Sequence, residues 1–141
     1  MDYREAYEKA LQLLNVRFLS EGELKAKLRR RGVDDDVLKD VVAALEGGHF
    51  LDDQRLARDV YRYYARKGQY GHLYIVNRLR RRCLPVPEDV ERPDEYALAG
   101  NLVKRKFSYR ADEARKAARF LQYRGFSPSV IRDVLEDFTV H

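Results

Sequence analysis

Residues 20–33 read Ser20-Glu21-Gly22-Glu23-Leu24-Lys25-Ala26-Lys27-Leu28-Arg29-Arg30-Arg31-Gly32-Val33, and this stretch carries a helix with both of its ends marked. Ser20 followed three positions later by Glu23 is the pattern of a capping box, in which each side chain takes up a backbone amide left free by the first turn. Leu24 and Leu28 are four apart, so they share one face. Gly32 tolerates the left-handed backbone conformation that closes many helices. An apolar residue, Val33, follows it.

The same grammar extends in both directions. Before it, Ala6, Ala10, Leu13 and Leu14 fall on one side of a helix, with Glu5, Glu8 and Gln12 on the other. After it, Asp34 can cap a third helix with Val37, Leu38, Val41, Val42 and Leu45 inward, ended by Gly47-Gly48. The pattern then restarts. Asp52 or Asp53 begins a helix to about Lys67, closed by Gly68, and another runs from about Gly71 to Arg82 with Ile75, Val76 and Leu79 inward. Leu84-Pro85-Val86-Pro87 excludes a long regular helix, because proline lacks the amide and restricts its predecessor. Pro93-Asp94 opens a helix to about Phe107, Asp112 opens one stopped by Gly125, and Ser127-Pro128 opens a last one using Val130, Ile131, Val134, Leu135 and Phe138.

Three segments align without gaps: Ala6–Gly32, Ala57–Cys83 and Ala99–Gly125. Each starts at a small residue, reaches Leu28, Leu79 or Leu121, then Gly32, Cys83 or Gly125, then Val33, Leu84 or Phe126. A repeated helical unit of this size buries too little surface to stand alone, so neighbours must stack. The expected fold is therefore all-α, an elongated array of three tandem three-helix modules, the middle one with a degenerate third helix. The modules are 1–50, 51–92 and 93–141, and a bend is expected at the prolines.

Charge is unevenly spread. The 141 residues hold 28 bases and 23 acids, a formal net charge of +5, but residues 54–82 hold nine bases against one acid, Asp59. At about 100° per residue, Arg55, Arg58, Arg62 and Arg66 form one stripe, and Leu56, Ala57, Val60 and Tyr64 lie opposite. In the next helix Arg78, Arg81 and Arg82 lie away from the apolar positions, with Tyr74 beside them. Tyr63, Tyr70 and Tyr74 interleave with these guanidinium groups, which suits an anionic partner with planar groups. Lys67, Lys104, Arg105, Arg115 and Arg119 extend the candidate contact set. The bland alternative is a solvated polar face, and it fits Arg29-Arg30-Arg31 better, where acids are close by.

Catalytic chemistry has no visible seat. His49, His72 and His141 lack metal-ligand spacing, Asp34-Asp35-Asp36 suits a helix N-terminus, and there is no glycine-rich phosphate loop. Cys83, the single cysteine, stands where the other repeats have glycine, so a turn explains it better than reactivity does. Neither an enzyme, a metal nor a cofactor is expected. The longest apolar run, Val41 to Leu45, is far short of a membrane span of about 20 residues, and the N-terminus has no signal-like stretch. A monomeric cytoplasmic protein is expected.

The repeats and their punctuation resemble the bacterial RecX regulators of the RecA recombinase. The resemblance runs from about Ala6 to Phe138. It is carried by Ser20–Leu28 with Gly32, by Phe50-Leu51-Asp52-Asp53-Gln54-Arg55-Leu56-Ala57, by Gly71 with Ile75 and Leu79, by Lys104–Phe107, and by Arg119–Phe126. It implies a protein that binds RecA, mainly as the filament on single-stranded DNA. Such a protein restrains ATP hydrolysis, strand exchange and coprotease activity, and so acts in homologous recombination, DNA repair and the SOS response. Weak non-specific DNA binding is a secondary expectation, and a helix-turn-helix-like DNA-binding protein is the alternative reading.

Overall fold

The computed structural model describes residues 1–107 and 111–140, without the side chains of 111 and 138–140; Phe138's side chain and His141 thus lie outside the described residues. The fold is all-α, a tandem helical array. Its helices are α1 (Tyr3–Val16), α2 (Glu21–Arg30), α3 (Asp35–Gly47), α4 (Asp53–Arg66), α5 (His72–Arg81), α6 (Glu95–Lys106), α7 (Ala114–Tyr123) and α8 (Pro128–Val140). A 3-10 turn, Ala111–Glu113, leads into α7, so the first turn expected from Asp112 is tighter than an α-helix. Among the described residues no helix lies between α5 and α6, in keeping with the prolines there.

The capping box opening α2 is complete: Ser20 Oγ accepts from the Glu23 amide at 3.0 Å, and Glu23 Oε1 accepts from the Ser20 amide at 2.9 Å. Asp2 and Asp94 cap α1 and α6 through the amides of Glu5 and Ala97. Asp34 stands at the N-cap of α3, but its side chain makes no cap hydrogen bond.

The repeat register is reproduced in three dimensions. Ala6, Ala57 and Ala99 are fully buried, as are Leu28, Leu79 and Leu121. So are Ala10, Tyr61 and Val103, and Leu24, Ile75 and Ala117, at equivalent positions. The stop is also the same three times. Gly32, Cys83 and Gly125 all have positive φ (85°, 58° and 82°), and the amides of Val33, Leu84 and Phe126 reach back to the carbonyls of Leu28, Leu79 and Leu121. This is the six-to-one bond of a Schellman motif, with the following apolar side chain buried against the helix it ends. Cys83 holds a conformation that costs a non-glycine residue roughly 1–2 kcal/mol.

The chain divides into two compact units, and α4 and α5 are each shared between them. The first comprises Met1–Asp59 with Leu79–Pro87. Its core packs α1 and α2 against α3 through Ala6, Ala10, Leu24, Leu28, Leu38, Val41 and Leu45. The second comprises Val60–Arg78 with the chain from Glu88 onward. Its core packs α6 and α7 against α8 through Ala99, Val103, Ala117, Leu121, Phe126 and Val134.

Each unit contains the same joint between one repeat and the next. In the first, Asp53 Oδ1 accepts from the Glu21 amide at 2.9 Å, and Cys83 sits directly on Gly22. In the second, Glu95 Oε1 accepts from the His72 amide at 2.8 Å, and Gly125 sits on Gly71 and Tyr74. A carboxylate at the start of one repeat thus satisfies an orphan amide at the second helix of the repeat before it. The residue preceding the positive-φ position reaches back as well. Arg82 donates to the Phe18 carbonyl at 2.8 Å, and Arg124 donates to Gln69 Oε1 at 3.3 Å.

Candidate functional site

Helix α4 buries Ala57 and Tyr61, four residues apart, and leaves the basic stripe outward: Arg55, Arg62 and Arg66 are exposed, as is Lys67 just beyond the helix. Leu56, Val60 and Tyr64, expected opposite the arginines, are half-buried, and Tyr61 is the deep residue that their spacing did not single out. Arg58 is half-buried and already partnered. Among the described residues neither Arg62 nor Arg66 has a carboxylate within salt-bridge distance. The two share an open cavity of about 400 Å³ with Glu91, Arg92 and Asp94.

Helix α5 divides its arginines by role. Arg81 is exposed. Arg82 is not a free contact group: its Nη2 lies 3.0 Å from Glu23 Oε1 within the first unit, and Nε is 3.2 Å from Oε2. Burial opposes ionisation of Glu23, but the bonds from Arg82 and the Ser20 amide, with the charges of Arg82 and Arg17, outweigh it and hold the carboxyl below the usual glutamate range. Arg78 donates twice to the Tyr74 hydroxyl, from Nε at 3.1 Å and from Nη2 at 2.8 Å. Burial would raise the Tyr74 phenol, yet the bonds from Arg78 and Tyr70 and the charges of Arg78 and Lys67 bring it below its ordinary value.

In the second unit Lys104 and Arg105 are exposed in the last turn of α6, and Arg115 and Arg119 are exposed on α7. Tyr70, already marked by its place among the arginines, meets Tyr74 there, and Arg124 and Phe120, absent from the sequence-derived set, join them. Tyr70 stacks on Tyr74 with centroids 3.9 Å apart and planes 6° apart. Arg124 lies 5.4 Å from the Tyr70 ring and 5.0 Å from Phe120, whose ring carries Lys106 at 4.5 Å. The signal for Arg124 was in the register, since it occupies the place of Arg82.

At the start of α5, the Tyr61 hydroxyl and His72 Nδ1 are 2.8 Å apart. Burial first, and then the charge of Arg92, hold the imidazole below its ordinary value despite Glu95. This arrangement is a structural pin: Tyr61 is fully buried, and the backbone of His72 is held by Glu95. Among the described residues no group of three or more His, Cys, Asp or Glu side chains is placed to hold a metal ion. Also among them, no helix is long and apolar enough to cross a membrane.

Comparison with known proteins agrees with this repeated architecture. The family model for the first three-helix domain of RecX matches residues 6–45, and that for the third matches residues 93–135. The regulatory protein RecX of Vibrio cholerae (strain O395) is 32% identical over 96% of this chain and 94% of its own length. That of Geobacillus kaustophilus is 29% identical over 99% of this chain but only 56% of its own length, so the chain spans about half of that relative. The crystal structure of RecX from Lactobacillus salivarius superposes with a TM-score of 0.79 at 21% identity, covering 99% of this chain and 98% of that one. The relatives are named as regulatory proteins. On the family models, the identity to full-length relatives and the shared fold together, the chain belongs to the RecX family.

Proposed function

We propose that this protein binds the RecA recombinase, mainly as its filament on single-stranded DNA, and restrains ATP hydrolysis, strand exchange and coprotease activity without chemistry of its own. It would act in the cytoplasm as a monomer, in the control of recombination, DNA repair and the SOS response. Family membership supports this reading, and one structural observation carries it further: Arg62 and Arg66 project from α4 with no ion-pair partner among the described residues. Cations kept in water and outside ion pairs stay available to a negatively charged surface and speed encounter with it, even with Glu91 and Asp94 lining the same cavity. The test is RecA ATPase on single-stranded DNA with substoichiometric protein; turnover should fall, and unchanged turnover would refute the reading.

A helix-turn-helix-like duplex binder is the second reading, favoured by the same outward arginines on a three-helix framework. About four phosphate contacts would give a log–log salt slope near −4 on duplex DNA. A shallow slope and no preference among duplex sequences would count against it.

A further inference from the structure

The second unit holds a strip in which rings and cations alternate. Lys67 lies 4.6 Å from the Tyr63 centroid, and Tyr63 meets Tyr64 edge-on at 5.1 Å. Tyr64 in turn contacts both members of the Tyr70–Tyr74 stack, at 6.0 and 5.9 Å. From Tyr70 the strip continues through Arg124 to Phe120, Lys106 and Phe107. Every cation–ring contact recorded among the described residues belongs to it.

Four cations have been gathered here with rings in place of carboxylates. Among the described residues, none of Lys67, Arg78, Lys106 and Arg124 has an acid within salt-bridge distance. Ring faces attract each cation but leave its net charge uncancelled. The strip therefore combines uncompensated positive charge with aromatic surface that is partly open: Lys67 and Lys106 are exposed, and Tyr63 is 55% exposed. A protein carboxylate surface would use the charge and waste the rings. Duplex DNA would offer phosphates and keep its bases stacked away from them. Unpaired nucleotides use both, phosphates on the cations and bases on the rings.

We propose that this strip binds single-stranded nucleic acid directly, with Tyr63 as the outer stacking residue and Lys67 and Lys106 as phosphate contacts. The proposal goes beyond recombinase binding and stands apart from it, because its test contains no recombinase.

That test is fluorescence anisotropy of the intact protein with labelled oligo(dT), an abasic strand of equal length, and a duplex. The expected result is that oligo(dT) binds about tenfold more tightly than the abasic strand, the worth of one stacked base. Tyr63→Ala should erase that difference, Tyr63→Phe should keep it, and Lys106→Ala should weaken both strands and flatten their salt dependence. Tyr63 is exposed on α4, and unchanged helical circular dichroism checks that each variant folds. Equal affinity for oligo(dT) and the abasic strand would overturn the proposal, as would tighter binding of the duplex or a Tyr63→Ala loss that is the same on both strands.

Discussion

Arg82 and Glu23, 59 residues apart in sequence, form a half-buried ion pair with Nη2 3.0 Å from Oε1. The same carboxylate closes the capping box of α2 through the Ser20 amide. One glutamate therefore serves both the start of a helix in the first repeat and the guanidinium that ends the second helix of the next.

Removing the arginine leaves that carboxylate without its charged partner. Arg82→Ala is expected to lower the unfolding free energy by about 1.5–3 kcal/mol, the range for a hydrogen bond to a charged group, measured by urea denaturation. The pair also sets a pH dependence. The folded carboxyl titrates below its unfolded value, so its contribution is complete above about pH 4.3 and is lost as pH falls through the lower folded value. Glu23→Gln should flatten the stability profile in that acid window.

Gly22 and Cys83 give a prediction whose sign depends on the background. A Cβ on Gly22 would lie 2.6 Å from the Cys83 Cβ, closer than such atoms approach. Gly22→Ala should therefore destabilise the protein although alanine is the better helix former by about 1 kcal/mol. In a Cys83→Gly background the obstacle is gone, and the same substitution should become neutral or stabilising. A thermal or urea double-mutant cycle reads this directly; additive effects would show that the two residues do not touch.

Gly32 and Gly125, two of the positive-φ stops, should differ in their tolerance of a side chain. Gly32 has nothing near an added Cβ, so Gly32→Ala should cost only the backbone strain of about 1–2 kcal/mol. At Gly125 an added Cβ would collide with the backbone of Tyr74, which is fixed in α5. Gly125→Ala should cost clearly more than Gly32→Ala in the same denaturation assay.

His72 supplies a second pH window. Its folded pKa is depressed by burial and by Arg92, so the unfolded chain takes up the proton first. Stability contributed here is full above about pH 6.5 and declines as pH falls below it. Carbon-detected or side-chain proton NMR of His72 should show a titration midpoint below the ordinary histidine value, and Tyr61→Phe should disturb it by removing the 2.8 Å hydroxyl partner.

The fold was legible because its marks are local. Ser20 with Glu23, Ser127 with Pro128, and the glycine stops each act within one turn of helix, and the register of Ala6, Ala57 and Ala99 reappears as three fully buried alanines. Even Cys83, an anomaly of composition, was readable as a turn from its place in the repeat. Tyr61 escaped because a tyrosine in an arginine-rich helix reads as rim; only its equivalence to Ala10 and Val103 marks it as core. Arg82 read as surface for a different reason. Its partner is 59 residues away, and no helical spacing carries that information. The ring–cation strip was half visible: Tyr63, Tyr70 and Tyr74 stand close in sequence, whereas Phe120 and Arg124 meet them only through the fold.

The most direct measurement of recombinase binding through outward α4 arginines is co-sedimentation with RecA filaments assembled on single-stranded DNA with a non-hydrolysable ATP analogue. It compares the unaltered protein with the double variant Arg62→Glu, Arg66→Glu, whose positions are exposed and whose helix content should be unchanged. The unaltered protein should pellet with the filaments, and the variant should stay largely in the supernatant and no longer slow ATP hydrolysis. Equal pelleting and equal inhibition by the two would contradict it.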